Sequence, residues 1–446
     1  MKKNFPFFEH EMIIPCRCGK THHITTQYTL VGWGILNQIP DVLHALNLGR
    51  KGLIVYDGNT FSAAGKTVED LLKQANFAVE SCLVEKQSCY QYLEPDEEAR
   101  SQVGSHLHHH YDFMLAVGSG VINDLVKFIS HRTHTPYMVA GTAPSMDGYP
   151  SPGAPMLVNG YKVTFDATPP RAIFLDLEVL QNAPLPLIHS GFSDLIGKIT
   201  ANADWVLRHH LFQEYICHYT WDLIKDALEI LWKNAEGIGE RTPEALYALT
   251  VALLNSGFSM ALVGDSRPAS GAEHLIAHYL EIMSIQQHRP PSLHGLRVGA
   301  ATVLIKKMYH HFLRDIDHFP WDTIKKNQNR NQVLEKVKSI FGTLYPFIEK
   351  EAQQKVFSVI SIPEKVNHPF FIATLKKDLN EKLSAIPDPE QTLRRAQAPA
   401  TFPELGFSPA DVRNAILFSR FVRNRLTLLD ILDEAGLLNE YMEKVM

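Results

Sequence analysis

The chain has little of what marks a secreted, membrane-spanning or nucleic-acid-binding protein. Its start, Met1-Lys2-Lys3-Asn4-Phe5-Pro6, is basic but lacks the apolar run of a leader. No later segment reads as long and apolar enough to cross a bilayer. Cysteine is scarce: Cys16, Cys18, Cys82, Cys89 and Cys217 are odd in number and lack the dense spacing of a disulfide scaffold, so a reducing, cytoplasmic setting is expected. There is no excess of positive charge. The formal net charge is -5 with the signs interspersed, which gives no basic stripe and excludes a nucleic-acid surface. An anionic ligand must therefore be met by a local cluster of cations. Glycine and proline are too few for a disordered chain, and no internal repeat is present.

A length of 446 residues exceeds the usual reach of one hydrophobic core, so two domains around a cleft are expected, an arrangement that suits an enzyme. The first part alternates strand-like and helix-like stretches, as in a parallel sheet covered on both faces. Gly52 to Tyr56, Tyr111 to Val117 and Pro136 to Ala140 read as buried strands, each ending in a glycine-containing or polar loop where ligands of such sheets bind. From about Ala183 the pattern changes to helical periods, with Pro243 to Val263, Ser270 to Met283 and Leu293 to Phe312 as the clearest. The predicted fold is an α/β dinucleotide-binding domain over residues 1–182, followed by an all-α metal- and substrate-binding domain over 183–446. Lys325 to Lys338 reads as a surface helix, the segment near Pro387 as a connection, and nothing beyond about Tyr345 carries a chemical motif.

Val117-Gly118-Ser119-Gly120-Val121-Ile122-Asn123-Asp124 follows a strand and opens a helix, so its N–H groups can face a pyrophosphate. Asn123 stands where the dinucleotide fingerprint has its third glycine, and a plain tight turn reads equally well from the residues alone. Asp57, after the strand ending at Tyr56, is either an acceptor for a ribose diol, which favours NAD over NADP, or a turn former before Gly58.

His274 and His278 are four apart in Ser270-Gly271-Ala272-Glu273-His274-Leu275-Ile276-Ala277-His278 and so share a helical face. With Asp194 and His294 they make a donor set suited to Zn, Ni or Fe with a position left open. Spacing alone is poor evidence among 22 histidines. His106-Leu107-His108-His109-His110 reads as a solvated loop. Cys16-Arg17-Cys18 with His22 and His23 could form a zinc knuckle, but no second ligand pair follows at suitable spacing, so a short hairpin is the better reading.

Taken in order, Gly118 to Asp124, Thr142-Ala143-Pro144-Ser145-Met146-Asp147-Gly148-Tyr149, Gly191 to Lys198, Ser266 to His274 and Leu293-His294-Gly295 resemble the sn-glycerol-1-phosphate dehydrogenases, within the dehydroquinate synthase-like and iron-containing alcohol dehydrogenase superfamily. The match spans roughly residues 50 to 310. The resemblance implies a divalent metal on Asp194, His274 and His294, and substrate contacts from Asp147, Asp194 and His278. It also implies a nicotinamide cofactor lined by Asp57, Gly118, Ser119, Gly120, Val121, Ile122, Thr142, Ala143, Pro144, Ser145 and Ser151. Val121 replaces the family's usual threonine.

The reaction so implied is hydride transfer between NAD(P) and a small phosphorylated three-carbon substrate, glycerol 1-phosphate or dihydroxyacetone phosphate. Asp194 and His278 are its catalytic candidates, with His278 as the proton relay. Lys198 and Arg267 are the candidates for the phosphate. A homo-oligomer is the expected assembly. The rival readings are a superfamily relative acting on an unphosphorylated polyol, a cyclase that uses NAD transiently, and a silent nucleotide- or metal-binding protein.

Overall fold

The computed structural model describes residues 5–8, 12–86, 93–324, 330–357, 366 and 368–446. A seven-stranded sheet organises the first part. Its strands lie in the order Phe5–Phe8, Tyr28–Gly32, Ala172–Asp176, Tyr137–Gly141, Phe113–Gly118, Lys51–Tyr56 and Ala78–Leu83. Only the Phe5–Phe8 edge pairs antiparallel; all other neighbours are parallel.

The three strands expected from sequence are present within two residues. Phe113–Gly118 and Tyr137–Gly141 are buried along their whole length, as strands covered on both faces must be. Alternate side chains feed two cores. Leu53, Val55, Met114 and Ala116 pack with Leu125 and Val126 of helix Gly120–Thr133. Ile54, Leu115 and Val117 pack on the other face with Val42, Leu43, Val68 and Leu72, from helices Ile39–Leu46 and Lys66–Gln74.

From Lys51–Tyr56 the chain steps outward to Ala78–Leu83, then returns across to Phe113–Gly118 and continues the other way. The direction of winding thus reverses between the ends of Lys51–Tyr56 and Phe113–Gly118, and a crevice opens at such a switch point. Asp57 and Ser119 stand at its two sides.

After the last strand, Ala172–Asp176, every described regular element is helical. Pro243–Val263 is a helix as expected, and the other two clear helical periods become Ala272–Gln286 and His294–Asp315. The reading that no segment could span a bilayer needs correction, because Pro243–Val263 passes by length and composition. Its apolar residues are used internally. Leu246, Leu249 and Leu253 join a helical core, while Leu254, Phe258 and Leu262 pack into one of the sheet's cores, so its burial is that of a core helix.

Met12–Pro15 and Thr21–Ile24 form the expected hairpin. The histidine-rich stretch after helix Glu97–Gly104 is a turn region with His108, His109 and His110 exposed, as read from sequence. Of Lys325 to Lys338, residues 325–329 lie outside the described ones and the rest belongs to helix Arg330–Phe341; Cys89 also lies outside them. The C-terminal region is no appendage. Leu375, Ile416, Leu428 and Leu432 share one core with Ile276, Leu280, Ile305 and Tyr309 of the motif-bearing helices.

Candidate functional site

A cleft of about 1910 Å³ runs from the switch point to the helical part, larger than a single small ligand needs. One end is the start of helix Gly120–Thr133. Ser119 caps it without a side-chain bond and instead shares a 2.5 Å hydrogen bond with Ser145. Gly120, Val121 and Ile122 line the cleft there, with first-turn N–H groups available to an anion. The two readings of Asp57 are compatible. Its Oδ1 accepts from the N–H groups of Asn59 and Thr60 at 2.8 and 2.9 Å, forming a capping box, while the residue also borders the cleft.

Thr142, Ala143 and Ser145 line the same space. Tyr149 closes their loop by donating to the carbonyl of Ala143 at 2.8 Å. Pro144 packs inward: its carbonyl oxygen would lie 1.9 Å from a Cβ at position 191, so only glycine there allows the loop to rest on helix Leu185–Ile196. Ser151 is held by Lys127, whose buried ammonium donates to Gly148 O at 2.6 Å and to Ser151 O, Ser151 Oγ and Gly153 O at 3.2 Å each. Burial pushes Lys127 down to about 8 against the pull of Asp124.

Helices Leu185–Ile196, Ala272–Gln286 and His294–Asp315 meet at the other end and bring Asp194, His274 and His294 together, with one donor atom from each within 4.8 Å of the others. His274 Nε2 lies 3.3 Å from Asp194 Oδ1. Two ligands about 2.0–2.1 Å from a tetrahedral ion stand about 3.3–3.4 Å apart, so this edge fits a metal. The ring is oriented by Glu273, which the sequence reading left without a role. His274 Nδ1–H donates to Glu273 Oε1 at 2.7 Å, and the buried Glu273 also accepts from Gly271 N and Thr200 Oγ1. His294 Nδ1 is buried without a hydrogen-bond partner, an orphan that an ion would satisfy.

Lys198 is fully buried and donates to Asp194 Oδ1 at 2.8 Å and Ala269 O at 3.1 Å, with Asp147 Oδ2 at 2.9 Å. Burial alone would raise Asp194, but Lys198 and then the two histidines hold it well below the usual carboxylate range. Lys198 is correspondingly held above its ordinary value by the two carboxylates, against burial. Its role as a phosphate ligand must be withdrawn, because all its neighbours are already acceptors. Arg267 falls with it: the guanidinium pairs with Glu214 at 2.6 Å and Asp265 at 3.5 Å and does not border the cleft.

His278 lies between His294, at 5.2 Å between ring centres, and Glu281. Burial pushes it down to about 3, so the ring is neutral near pH 7, and its Nδ1 has no hydrogen-bond partner. The relay expected from sequence therefore starts from neutral imidazole. Asp147 accepts from Ser256 at 2.6 Å on the same oxygen that meets Lys198.

Cations absent from the sequence reading that border the cleft include Lys162, Arg297 and Arg423. Glu281 meets Lys162 at 3.0 Å and Arg297 at 3.1 Å, so one carboxylate faces two cations. Arg423 donates to Thr164 Oγ1 at 2.8 Å. Glu94, pushed up to about 7 by burial and by Glu281, offsets this positive excess only in part. Glu281 follows His278 by three and Arg297 follows His294 by three, a same-face spacing that could have flagged both. Nothing local points to Arg423.

Residues 30–184 match the family model described as iron-containing alcohol dehydrogenase. A glycerol-1-phosphate dehydrogenase [NAD(P)+] of Halalkalibacterium halodurans is 34% identical over 357 residues, 78% of this chain and 83% of that protein. The chain belongs to the glycerol-1-phosphate dehydrogenase family. The family's Bacillus subtilis member is 32% identical over 382 residues, covering 86% of this chain and 85% of its own. That of Geobacillus thermodenitrificans is 29% identical over 425 residues, 95% and 96%. Among solved structures, an archaeal halo-thermophilic Red Sea brine pool alcohol dehydrogenase superposes with a TM-score of 0.60 at 12% identity, covering 93% and 96% of the two chains. A probable glycerol dehydrogenase from Sinorhizobium meliloti reaches 0.58 at 14%, with the same coverage. These two establish the shared fold.

Proposed function

We propose that this family member is a metal-dependent, NAD(P)-linked dehydrogenase interconverting sn-glycerol 1-phosphate and dihydroxyacetone phosphate in the cytoplasm, as a homo-oligomer with a nucleotide-binding domain to about residue 182. The observation that carries the reading is one cleft joining an open helix start, an Asp/His/His donor set and a local excess of cations.

Asp194, His274 and His294 would hold one divalent metal, with Glu273 fixing the donor nitrogen of His274. NAD is preferred on the acidic Asp57 side of the cleft, with NADP as the alternative, and Zn, Ni and Fe all suit the donors. When bound, the metal supplies Lewis acidity at the ketone oxygen and the nicotinamide supplies hydride. Lys198 keeps Asp194 ionised in a buried setting and holds Asp147 beside it. Asp147 orients a substrate hydroxyl through its second oxygen. Neutral His278, its Nδ1 turned 3.7 Å from the Glu281 carboxylate, borders the cleft and relays the proton. Arg423, with Lys162 and Arg297 behind it, takes the phosphate that Lys198 and Arg267 cannot reach.

The test is NAD(P)H oxidation with dihydroxyacetone phosphate before chelation, after chelation and after metal add-back. Turnover should vanish and return, and Arg423→Ala should raise KM for the phosphorylated ketone about 10- to 100-fold, as for loss of a charged hydrogen bond. Folded protein without chelator-sensitive turnover would refute the activity. An unchanged KM in Arg423→Ala would remove that residue from the phosphate site alone.

A further inference from the structure

The hairpin holding Cys16, Cys18 and His22 does not stand alone. The connection between helices Lys198–Phe212 and His218–Lys233 brings Cys217 onto it, across about two hundred residues of sequence. One donor atom from each of the four lies within 4.8 Å of the others. Cys16 Sγ is 3.7 Å from Cys217 Sγ, and His22 Nε2 is 3.3 Å from Cys18 Sγ and 3.4 Å from Cys217 Sγ. Around a tetrahedral zinc, with Zn–S about 2.3 Å and Zn–N about 2.0–2.1 Å, the edges would be about 3.8 Å for S···S and about 3.5 Å for S···N. A disulfide needs about 2.05 Å between sulfurs and would leave Cys18 and His22 unexplained.

The surroundings are those of ligands held for a metal. His22 is buried and its Nδ1 is 2.7 Å from the carbonyl of Leu262. A carbonyl can only accept, so Nδ1 carries the proton and Nε2 turns its lone pair to the sulfurs. Tyr215 donates its hydroxyl to Cys18 Sγ at 3.1 Å, and the Lys20 ammonium sits 3.6 Å from the centre of the Tyr215 ring. Three thiolates with one divalent ion leave a single negative charge, which these two groups oppose. Gly19, with φ +84°, makes the turn that sets Cys16 and Cys18 side by side, closed by Gly19 N donating to Cys16 O at 3.1 Å.

We infer that Cys16, Cys18, His22 and Cys217 form a second metal site, a closed Cys₃His site for zinc, separate from the Asp194 centre. Three sulfurs select a softer ion than the oxygen and nitrogen donors of the cleft, and four protein ligands leave no position for substrate. The site is structural. It ties the hairpin and the Gln213–Cys217 connection to the end of helix Pro243–Val263, just before the Asp265–Ser270 segment that borders the cleft and leads to His274.

Cobalt(II) added as the only metal to the reduced full chain separates the two centres, because among the described residues no cysteine, and so no thiolate, borders the cleft. Thiolate-to-cobalt absorption in the near ultraviolet is expected in the native chain, is retained in His294→Ala, and is lost in Cys217→Ser. Bound zinc should fall from two equivalents per chain to one in Cys217→Ser, and from two to one in His294→Ala with the other ion remaining. Should Cys217→Ser fail to fold, the native chain still decides: zinc should shield three thiols from a thiol reagent until a chelator is added. Absence of the cobalt–thiolate band, thiols equally reactive with and without zinc, or a Cys16–Cys217 disulfide in the isolated protein would each overturn the site.

Discussion

Replacing Gly295 with alanine tests how finely the catalytic helices are spaced. A Cβ at this position would lie 1.9 Å from the carbonyl oxygen of Ser190 and 2.6 Å from its carbon, both backbone atoms that cannot rotate aside. Real contacts do not fall below 3.0 Å, so helices Leu185–Ile196 and His294–Asp315 must part by about 1 Å. Ser190 lies one turn before Asp194, and Gly295 follows His294 directly, so the displacement falls on the distance between two proposed ligands. Metal–ligand distances tolerate only about 0.2 Å. Metal affinity should therefore drop about 100-fold or more, about 2.7 kcal/mol, with a further about 1–3 kcal/mol of folding stability lost to overpacking. Competition with a chromogenic chelator measures the affinity, and NAD(P)H binding in the same variant should change little, because the nucleotide loop lies at the other end of the cleft. Gly104→Ala, which has open space around it, is the control. Native metal affinity and turnover in Gly295→Ala would refute the spacing argument.

Glu273→Gln removes the carboxylate that fixes His274 Nδ1–H; a loss of about 10- to 100-fold in metal affinity is expected by chelator competition, with the fold intact by circular dichroism. Glu94 governs a pH effect: burial, then Glu281, raises it to about 7, above its usual 4.5, so the folded chain binds this proton more tightly than the unfolded one. Stability from this group is then greatest below the unfolded value and falls as pH rises to about 7. Allowing for its incomplete burial, Glu94→Gln should be about 1–2 kcal/mol more stable than the native chain in urea at about pH 8, with the gap closing by about pH 5. An equal gap at both would show that Glu94 is not perturbed.

The sequence by itself determined the parts whose physics is local. Continuous apolar runs ending in glycine loops specify buried parallel strands, and Phe113–Gly118 and Tyr137–Gly141 lie where the runs do. Apolar periods specify the helices Pro243–Val263, Ala272–Gln286 and His294–Asp315. The motif order was enough to propose Asp194, His274 and His294 as partners, since each sits in a segment with its own recognisable wording.

What only the tertiary structure decided is how charges and thiols far apart in sequence meet. Lys198 looked available for phosphate, yet the fold buries it against Asp194 and Asp147, where its charge is consumed. Arg423 looked like an unremarkable residue in a motif-free tail, yet packing of that tail on the catalytic helices places it at the cleft. Cys16 and Cys18 lacked a ligand pair at useful spacing because the missing ligand, Cys217, comes from a different part of the chain. Helix and strand periods extend only a few residues, whereas an electrostatic or metal site is set by distance in space, which the fold alone supplies.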